Sequence, residues 1–368
     1  MTGSGYDQYH DDDDDTPSFD PRSSSYGDLN FLRRPDTPPR SPTGSSFTFT
    51  SSMHTAPFRE DGGRLYNAAQ DDYSLPADMQ EINRLNIQHV AYRKRVGQNY
   101  IGPVDEHLQG QPGKKVLDIG CGTGLWAIEV GRAFPQAEFI GIDLVPIQPN
   151  DDEVPENVSF VQDDVTKGLP YPDDSIDIVH ARLLVAGIRD FPALVREIAR
   201  VLKPGGLYMF IEGGFLDAGD RRDLDQIKAD MARQQNTSEN LWRLAPGVAA
   251  WVELTSKAFT KRGLDPQAGF NVPETVRKNG SFGKIHTTLV DLPMSPWSTE
   301  PTMRQVGKLM YADGSQMPEA SKLLVIDGLN MNPNEYAEYS ARFMADLNDL
   351  RKKIVIMFPA HFTIKGAS

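Results

Sequence analysis

The sequence predicts an α/β fold built on a mostly parallel sheet, and three observations in its middle third support this. The apolar run at residues 116–119 leads into a glycine-rich turn, and a second apolar run ends on Asp143, 19 residues after Gly124. The segment between the two runs has the length of a helix, so the three pieces form a strand–helix–strand unit. Three further apolar runs follow at the spacing of strands. Such folds place their ligand site at the carboxyl ends of the strands.

The other elements are predicted from the spacing of apolar residues. Residues 78–100 carry apolar or aromatic side chains at intervals of three and four, which indicates an amphipathic helix before the unit. The strands predicted after the unit are residues 158–164, 175–181, 207–211, 285–292 and 354–364. The first predicted helix after the unit is residues 191–202, and a Lys-Pro-Gly-Gly turn ends it. Residues 220–262 are predicted to form a helical region, and further helices are predicted at 275–279, 303–312 and 335–353.

The glycine-rich turn, Asp118-x-Gly120-x-Gly122-x-Gly124, indicates the kind of nucleotide that it would hold. In a dinucleotide site the glycines bring a pyrophosphate to a helix N-terminus, where a carboxylate at the start of the loop would repel it. Beside an ammonium or a sulfonium, the same carboxylate is favourable. The pattern therefore predicts a cationic nucleoside, S-adenosylmethionine. A nicotinamide dehydrogenase is disfavoured, and a related domain that binds nothing is the structural alternative.

Acidic residues at the ends of the next strands extend this site. Asp143 would accept hydrogen bonds from a ribose diol. Asp163 or Asp164, with Asp164 favoured, would accept from the adenine amino group, and the backbone N–H of Val165 would face the ring. Cys121 is expected to fill space in the loop rather than act as a nucleophile.

Further short motifs occur before, within and after the loop. They are Gly62-Gly-Arg-Leu-Tyr66, Leu75-Pro76, Arg84-Leu-Asn-Ile-Gln-His89, Gly122-Thr-Gly-Leu-Trp126-Ala-Ile, Gly141-Ile-Asp-Leu-Val-Pro-Ile-Gln-Pro149, Val179-His-Ala-Arg182 and Leu292-Pro-Met-Ser-Pro-Trp297. In these motifs, over roughly residues 62–364, the chain resembles the class I S-adenosylmethionine-dependent methyltransferases, and within them the fungal LaeA-like group, which includes regulators of secondary metabolism. Trp126 and residues 146–149 are more diagnostic of this group than the glycines.

The resemblance implies a Rossmann-like fold with a seven-stranded, mostly parallel sheet, an antiparallel edge pair, helices on both faces and a lid of N-terminal helices. It also implies velvet-domain partners and a nuclear location, whereas other members of the group stand beside biosynthetic genes and act on small molecules. The domain boundaries that we expect are a disordered acidic tail at 1–60, a helical lid at 61–115, and a methyltransferase domain at 116–364 with helical insertions at 220–262 and 300–353.

Candidate residues for the reaction lie near the end of the fourth predicted strand. His180 is the candidate general base because the unperturbed pKa of histidine lies near neutrality. The alternative, which we favour, is a structural histidine near the cofactor. Arg182 points the same way as His180, with Ala181 opposite, because strand residues alternate. Arg182 and His89 are candidate substrate residues, and Arg182 would pair with an acid or contact a carboxylate, a structural role being the alternative. The candidate cofactor residues are Asp118, Gly120, Cys121, Gly122, Gly124, Trp126, Asp143, Leu144, Asp163, Asp164, Val165, His180 and Tyr66.

Composition limits the partners and the compartment. The 368 residues include 51 acidic and 38 basic ones, a net charge of −13, which argues against a broad nucleic-acid surface. A single cysteine excludes an internal disulfide and suits a reducing compartment. The chain has no apolar run of membrane-spanning length and no signal pattern, so we expect a soluble intracellular protein of the nucleus or cytoplasm. The seven histidines are scattered, and no metal site is expected.

Two functions of different classes follow from the sequence. The first is an active methyltransferase acting on a small molecule or a protein, which the intact loop favours. The second is a regulatory protein that binds the cofactor without turnover and works through velvet-type nuclear complexes. Residues 1–60 favour a role in partner binding because they contain no Ile, Val, Cys, Trp or Lys and cannot bury enough apolar surface to order themselves.

Overall fold

A computed structural model of the protein describes residues 48–49, 58–67, 75–149, 154–220, 227, 229–230 and 236–367. Its strands are β1 Thr48–Phe49, β2 Phe58–Asp61, β3 Arg64–Asn67, β4 Lys115–Ile119, β5 Glu138–Asp143, β6 Val158–Gln162, β7 Ile176–Arg182, β8 Leu202–Ile211, β9 Phe215–Asp217, β10 His286–Pro293 and β11 Val355–Ile364. Its helices are α1 Met79–Val96, α2 Val104–Leu108, α3 Leu125–Ala133, α4 Phe191–Val201, α5 Glu239–Leu244, α6 Pro246–Lys261, α7 Ala268–Asn279, α8 Pro301–Gly314, α9 Met317–Ala320, α10 Lys322–Leu329 and α11 Pro333–Asn348.

Nine of the described strands form one sheet. Its main path runs in the order β1-β6-β5-β4-β7-β8-β11-β10, and β9 pairs with β11. The pairs along the path from β1 to β8 are parallel, whereas β11 is antiparallel to β8, β9 and β10. The seven-stranded, mostly parallel sheet and its antiparallel edge pair are thereby confirmed, with the short strands β1 and β9 as additions.

Apolar side chains cover both faces of the sheet because successive strand residues point to opposite sides. Leu117 and Val179 pack on one face against residues of α4 and α7, including Ile198. Val116 and Ile178, their chain neighbours, pack on the other face against α2 and α3. Helices on both faces, as expected, follow from this alternation.

The N-terminal helix α1 lies on the sheet domain and is fixed by buried charge. Its N-cap residue Asp78 accepts from the Arg64 guanidinium of β3 at 2.5 and 2.9 Å. Arg84 is buried and donates to Asp313 of α8 at 2.7 Å. Gly97 ends the helix in the left-handed conformation, at φ +86°. Among the described residues, no helix is both long enough and apolar enough to cross a membrane.

Three segments of the described structure can be compared with the predicted boundaries, which stay predictions. Most of the expected tail at 1–60 lies outside the described residues, but β1 and most of β2 fall within it, and β2 forms a hairpin with β3. Gly62 and Gly63 make this hairpin possible because both adopt positive φ, +56° and +77°. Within 220–262, residues 221–226, 228 and 231–235 lie outside the described part, and the rest contains α5 and α6 as expected. The helices α9 and α10 lie within the predicted helical insertion at 300–353, but they and the elements α2 and β9 were not predicted individually.

Candidate active site

The carboxyl ends of the parallel strands β4 to β7 meet at one edge of the sheet, and the glycine loop crosses that edge. Gly120, Gly122 and Gly124 adopt positive φ of +64°, +54° and +75°, a region that other residues occupy only with strain. A Cβ on Gly120 would lie 2.2 Å from Leu184 Cδ2, and one on Gly124 would lie 2.3 Å from the Phe160 ring. Glycine is therefore required at both positions.

Backbone and side-chain hydrogen bonds hold this loop in place. The backbone N–H groups of Gly120 and Cys121 both donate to the Ile142 carbonyl, at 2.8 and 3.2 Å. The Gln148 amide donates to the Gly122 carbonyl at 2.6 Å, and Thr123 donates to Asn86 of α1, also at 2.6 Å. Gln148 belongs to the diagnostic motif at 146–149, and its contact gives that motif a physical role. The loop is thus preorganised for a ligand.

Asp143 ends β5 beside this loop. One carboxylate oxygen accepts from Gly122 N at 2.8 Å and the other from Val145 N at 2.9 Å. Burial, with a smaller contribution from the negative charge of Asp118, raises the pKa of Asp143 to about 6. Each oxygen keeps a second lone pair, so the carboxylate can still accept from a ribose diol.

The two acidic residues after β6, Asp163 and Asp164, differ in burial and in their hydrogen bonds. Asp164 is buried and caps the 3-10 turn Val165–Lys167, where its Oδ1 accepts from Thr166 N at 3.0 Å and Thr166 Oγ1 at 2.6 Å. Asp163 is more exposed, and its Oδ1 accepts from the Asp164 backbone N–H at 2.8 Å. Both line the cleft, so the preference for Asp164 as the adenine partner stays a prediction.

Asp118 and His180 are cross-strand neighbours on β4 and β7 and form a buried pair. His180 Nδ1 lies 2.7 Å from Asp118 Oδ1, and the imidazole stacks on the Trp126 indole with ring centroids 3.9 Å apart. Burial lowers the pKa of His180, so the ring is neutral at physiological pH. With an ionised Asp118, Nδ1 carries the proton and Nε2 keeps its lone pair. A ligand ammonium would then meet the second oxygen of Asp118.

A row of polar side chains runs from the end of β7 into α1 and α3. Arg182 Nη2 donates to His89 Nδ1 at 3.3 Å, and His89 Nε2 contacts Glu129 at 3.1 Å. Because arginine can only donate, His89 Nδ1 must accept, and its proton therefore lies on Nε2. Glu129 also accepts from Arg93 at 2.5 Å. Burial lowers the pKa of His89, and the positive charges of Arg182 and Arg93 act in the same direction.

These groups surround a cleft that encloses about 1090 Å³ of empty space, open solvent at its mouth included. His180 and Arg182 both line it while Ala181 packs in the opposite core, as strand alternation predicted. The other predicted residues that line the cleft are Asp118, Gly120, Cys121, Gly122, Trp126, Asp143, Leu144, Asp163, Asp164, Val165 and His89. The structure thus brings together most of the predicted site, and the role of each side chain stays a prediction.

Two predicted cofactor residues do not line the cleft. Tyr66 lies in β3, where it is buried and forms an isolated bridge with Pro76, and its cofactor role stays a prediction. Gly124 caps α3 and packs against Phe160, so it shapes the loop without facing the ligand space. Burial and the nearby carboxylates raise the pKa of the Cys121 thiol well above its usual range, which agrees with a space-filling role.

Sequence reasoning missed the residues that shape the opposite wall of the cleft. Leu183 adopts a left-handed φ of +58°, which turns the chain sharply after β7 so that residues 183, 184 and 186–188 line the cleft. Glu212 follows β8, and its carboxylate accepts from Leu184 N at 2.8 Å and Val185 N at 3.1 Å. Burial raises the pKa of Glu212 to about 8. In the sequence, the only indication of this wall is that the acidic Glu212 directly follows the apolar run at 207–211.

Comparison with known proteins gives the same class as the fold. Residues 116–206 match a family model described as a methyltransferase domain. The secondary metabolism regulator laeA of Coprinopsis cinerea is 31% identical over 276 residues, which cover 74% of this chain and 65% of that protein. The laeA regulator of Aspergillus flavus is 28% identical and is matched over 86% of this chain and 79% of its own length. Methyltransferase pytC of Aspergillus terreus is 29% identical, with 82% and 86% covered.

The fold, the glycine loop and the family model define a class I methyltransferase domain, and the cofactor of this class is S-adenosylmethionine. The relatives then narrow the class, because the chain is similar over most of its length to LaeA-like methyltransferases. The matched region spans just under two thirds of the Coprinopsis cinerea regulator.

The residues at the edge of the sheet fit this cofactor. The carboxylates of Asp118, Asp143 and Asp163 line one cleft, and a ligand that combines positive charge with hydroxyl donors suits such a set. A Cβ on Gly122 would find only Leu85 Cδ1 within 4 Å, at 3.8 Å, so the loop backbone is open to close approach there. The described residues contain no group of three or more His, Cys, Asp or Glu side chains suited to holding a metal ion.

Proposed function

We propose that this protein transfers the methyl group of S-adenosylmethionine to an acceptor that belongs to secondary metabolism. The observation that carries the proposal is the convergence of the glycine loop, Asp143 and the Asp118–His180 pair on one cleft. The link to secondary metabolism is supported by the similarity to the laeA regulators. A regulator without turnover is not favoured, because the chain is about equally similar to pytC, a protein named as a methyltransferase.

The order of the strands supports one orientation of the cofactor along the cleft. We infer that its adenosine lies over the ends of β5 and β6, with the ribose at Asp143 and the adenine between Leu144 and Val165, whose neighbours Asp163 and Asp164 would accept from the amino group. The amino acid part would then lie along the glycine loop toward Asp118. The acceptor would lie beyond, over β7 and β8.

The protein's own residues would position the reactants and handle one proton. When bound, the cofactor supplies an activated methyl group, so orientation and exclusion of water account for most of the rate. During the transfer, His180 Nε2 would take up the proton that the acceptor atom loses. Asp118 would hold the imidazole in the required tautomer. In the alternative role, His180 only positions Asp118.

We include in the proposal a small-molecule acceptor, velvet-domain partners and a nuclear location. The similarity to pytC, a protein named as a methyltransferase, supports turnover on an acceptor, whereas the partners and the location rest on the resemblance of the sequence motifs to the LaeA-like group. Co-purification of the full chain with a velvet-domain protein, compared with an unrelated methyltransferase as bait, checks the partner. Recovery equal to that of the unrelated bait would count against it.

Transfer of a tritiated methyl group tests the reaction. The protein would be incubated with labelled S-adenosylmethionine and, separately, a fungal low-molecular-mass extract and the protein fraction of the same culture. We expect label in the low-molecular-mass fraction. His180→Gln should lower kcat about a hundredfold if His180 is the base, with S-adenosylhomocysteine affinity retained. His286→Gln, at an exposed histidine of β10, is the matched control. Binding of the cofactor without label in either fraction would favour the regulator instead.

A further inference from the structure

Arg182 differs in its partners from four other buried or partly buried arginines near the site and the lid. Its guanidinium donates to the neutral His89 and lies 5.8 Å from the centroid of the Tyr92 ring. Within the described residues, no carboxylate lies within ion-pair distance of it. Four other arginines that are buried or partly buried each pair with a carboxylate: Arg64–Asp78, Arg84–Asp313, Arg93–Glu129 and Arg95–Asp291.

The carboxylates nearest to Arg182 form hydrogen bonds with other residues. Burial lowers the pKa of Arg182, and the carboxylates that oppose this effect are engaged elsewhere, Asp118 with His180 and Glu129 with Arg93. A guanidinium has five N–H donors, and among the described residues the partly buried guanidinium of Arg182 uses one of them, toward His89. A cation in this condition on the wall of a ligand cleft is suited to an anionic ligand group.

A second, smaller chamber adjoins the main cleft at Arg182, and its position indicates where this ligand group would lie. Its empty space of about 290 Å³ includes open solvent, so it has room for about one water-sized group, and Arg182 and His180 line both the chamber and the main cleft. Tyr92 and Asn99 also line it, and the Tyr92 hydroxyl and Asn99 Oδ1 are buried without a hydrogen-bond partner among the described residues. Residues of β8 and β11 complete the wall, which is the side away from β5 and β6, where the adenosine would lie.

We propose that Arg182 anchors an anionic group of the methyl acceptor, so that the acceptors of this protein are small organic acids. The carboxylate, or the ionised oxygen of an acidic enol, would accept from the guanidinium and from the Tyr92 hydroxyl. The contact to His89, which Glu129 fixes in one tautomer, orients the guanidinium from the lid helix. This inference rests on the proposed function, because it assigns the acceptor side of the same cleft.

Binding of a simple acid and its neutral amide to the cofactor-loaded protein tests the assignment. Benzoate and benzamide would be titrated into the full chain saturated with S-adenosylhomocysteine. We expect wild type to bind benzoate at least about tenfold more tightly than benzamide, the gain of one charged hydrogen-bond pair. Arg182→Gln should remove this preference and leave S-adenosylhomocysteine affinity within about threefold, and Arg182→Lys should keep part of it. Arg304→Gln, at an exposed arginine of α8, should change neither.

The other outcomes would overturn the inference. Equal binding of acid and amide to wild type would show that no anion site exists. A loss of S-adenosylhomocysteine affinity in Arg182→Gln, with affinity for methylthioadenosine unchanged, would show that the guanidinium holds the cofactor's own carboxylate. If Arg182→Gln fails to fold, Tyr92→Phe should still weaken benzoate severalfold and leave benzamide unchanged, and no change would contradict us. Failure of wild type to bind S-adenosylhomocysteine would remove the proposed function as well.

Discussion

Replacing Asp143 with asparagine should weaken the binding of S-adenosylhomocysteine about a hundredfold. The two oxygens of Asp143 accept from Gly122 N and Val145 N at 2.8 and 2.9 Å, and their remaining lone pairs would accept from the ribose hydroxyls. An asparagine keeps one acceptor oxygen and turns an N–H toward the other partners. A hydrogen bond to a charged group contributes about 1.5–3 kcal/mol, so losing one or two such bonds gives about 3 kcal/mol.

The affinity of wild type should also depend on pH with a definite sign. Burial raises the pKa of Asp143 from 3.8 to about 6, so in the free protein the carboxyl takes up a proton as the pH falls below that value. The ribose hydroxyls need the ionised form as acceptor, and binding must therefore expel this proton. Affinity should be constant above pH 7 and fall about tenfold per pH unit below 6. The asparagine variant has no proton to lose and should lack this slope.

Calorimetric titration of S-adenosylhomocysteine at pH 5, 6, 7 and 8 checks both statements. Asp327→Asn, at an exposed acid of α10, is the matched control and should behave as wild type. A flat wild-type profile would refute the assignment of the pKa to a ribose-binding carboxylate. The same slope in Asp143→Asn would refute it too, because a histidine such as His89 or His180 would then be the titrating group.

Three further substitutions test how the site is built. Gly124→Ala should lower the stability by about 2–4 kcal/mol in thermal melts, because φ is +75° and the new Cβ would lie 2.3 Å from Phe160; an unchanged Tm would contradict this. Arg84→Ala should cost about 3–5 kcal/mol in urea unfolding, because Asp313 would stay buried without its cation, and a loss below 1 kcal/mol would speak against it. Glu212→Gln should remove a fall in stability that wild type shows as the pH rises from 4.5 to about 8. The folded pKa exceeds the unfolded one, so folding favours the protonated acid; equal pH profiles would argue otherwise.

The main elements of the fold could be predicted because their apolar periodicity is strong. The strands β4 and β5 and the helix between them follow from residues 116–143 alone, and the antiparallel edge followed from the family resemblance. The hairpin of β2 and β3 and the helices α9 and α10 were missed because they are short and carry little periodicity. The hairpin depends on the positive φ of Gly62 and Gly63. A sequence shows that these residues are glycines, but not which φ they adopt.

The cofactor side of the site could be predicted because its ligands lie in one continuous motif. Glycine spacing and strand-end acids are properties of neighbouring residues, so it could be predicted that Asp118 and Asp143 line one cleft, whereas their contacts to the cofactor stay a prediction. The contacts of Gln148, Glu212 and Glu129 were not, because they join residues 26, 28 and 40 positions apart through the tertiary fold. Tyr66 was assigned to the cofactor through the family resemblance, and no local pattern showed that it would lie in a hairpin and not in the lining of the cleft.

A crystal structure of the protein saturated with S-adenosylhomocysteine tests the central claim most directly. We predict that the ligand lies across the ends of β4 to β6, with both ribose hydroxyls within hydrogen-bond distance of the Asp143 carboxylate and the adenine beside Leu144 and Val165. A ligand bound outside the cleft, or one inside it whose ribose makes no contact with Asp143, would contradict the account.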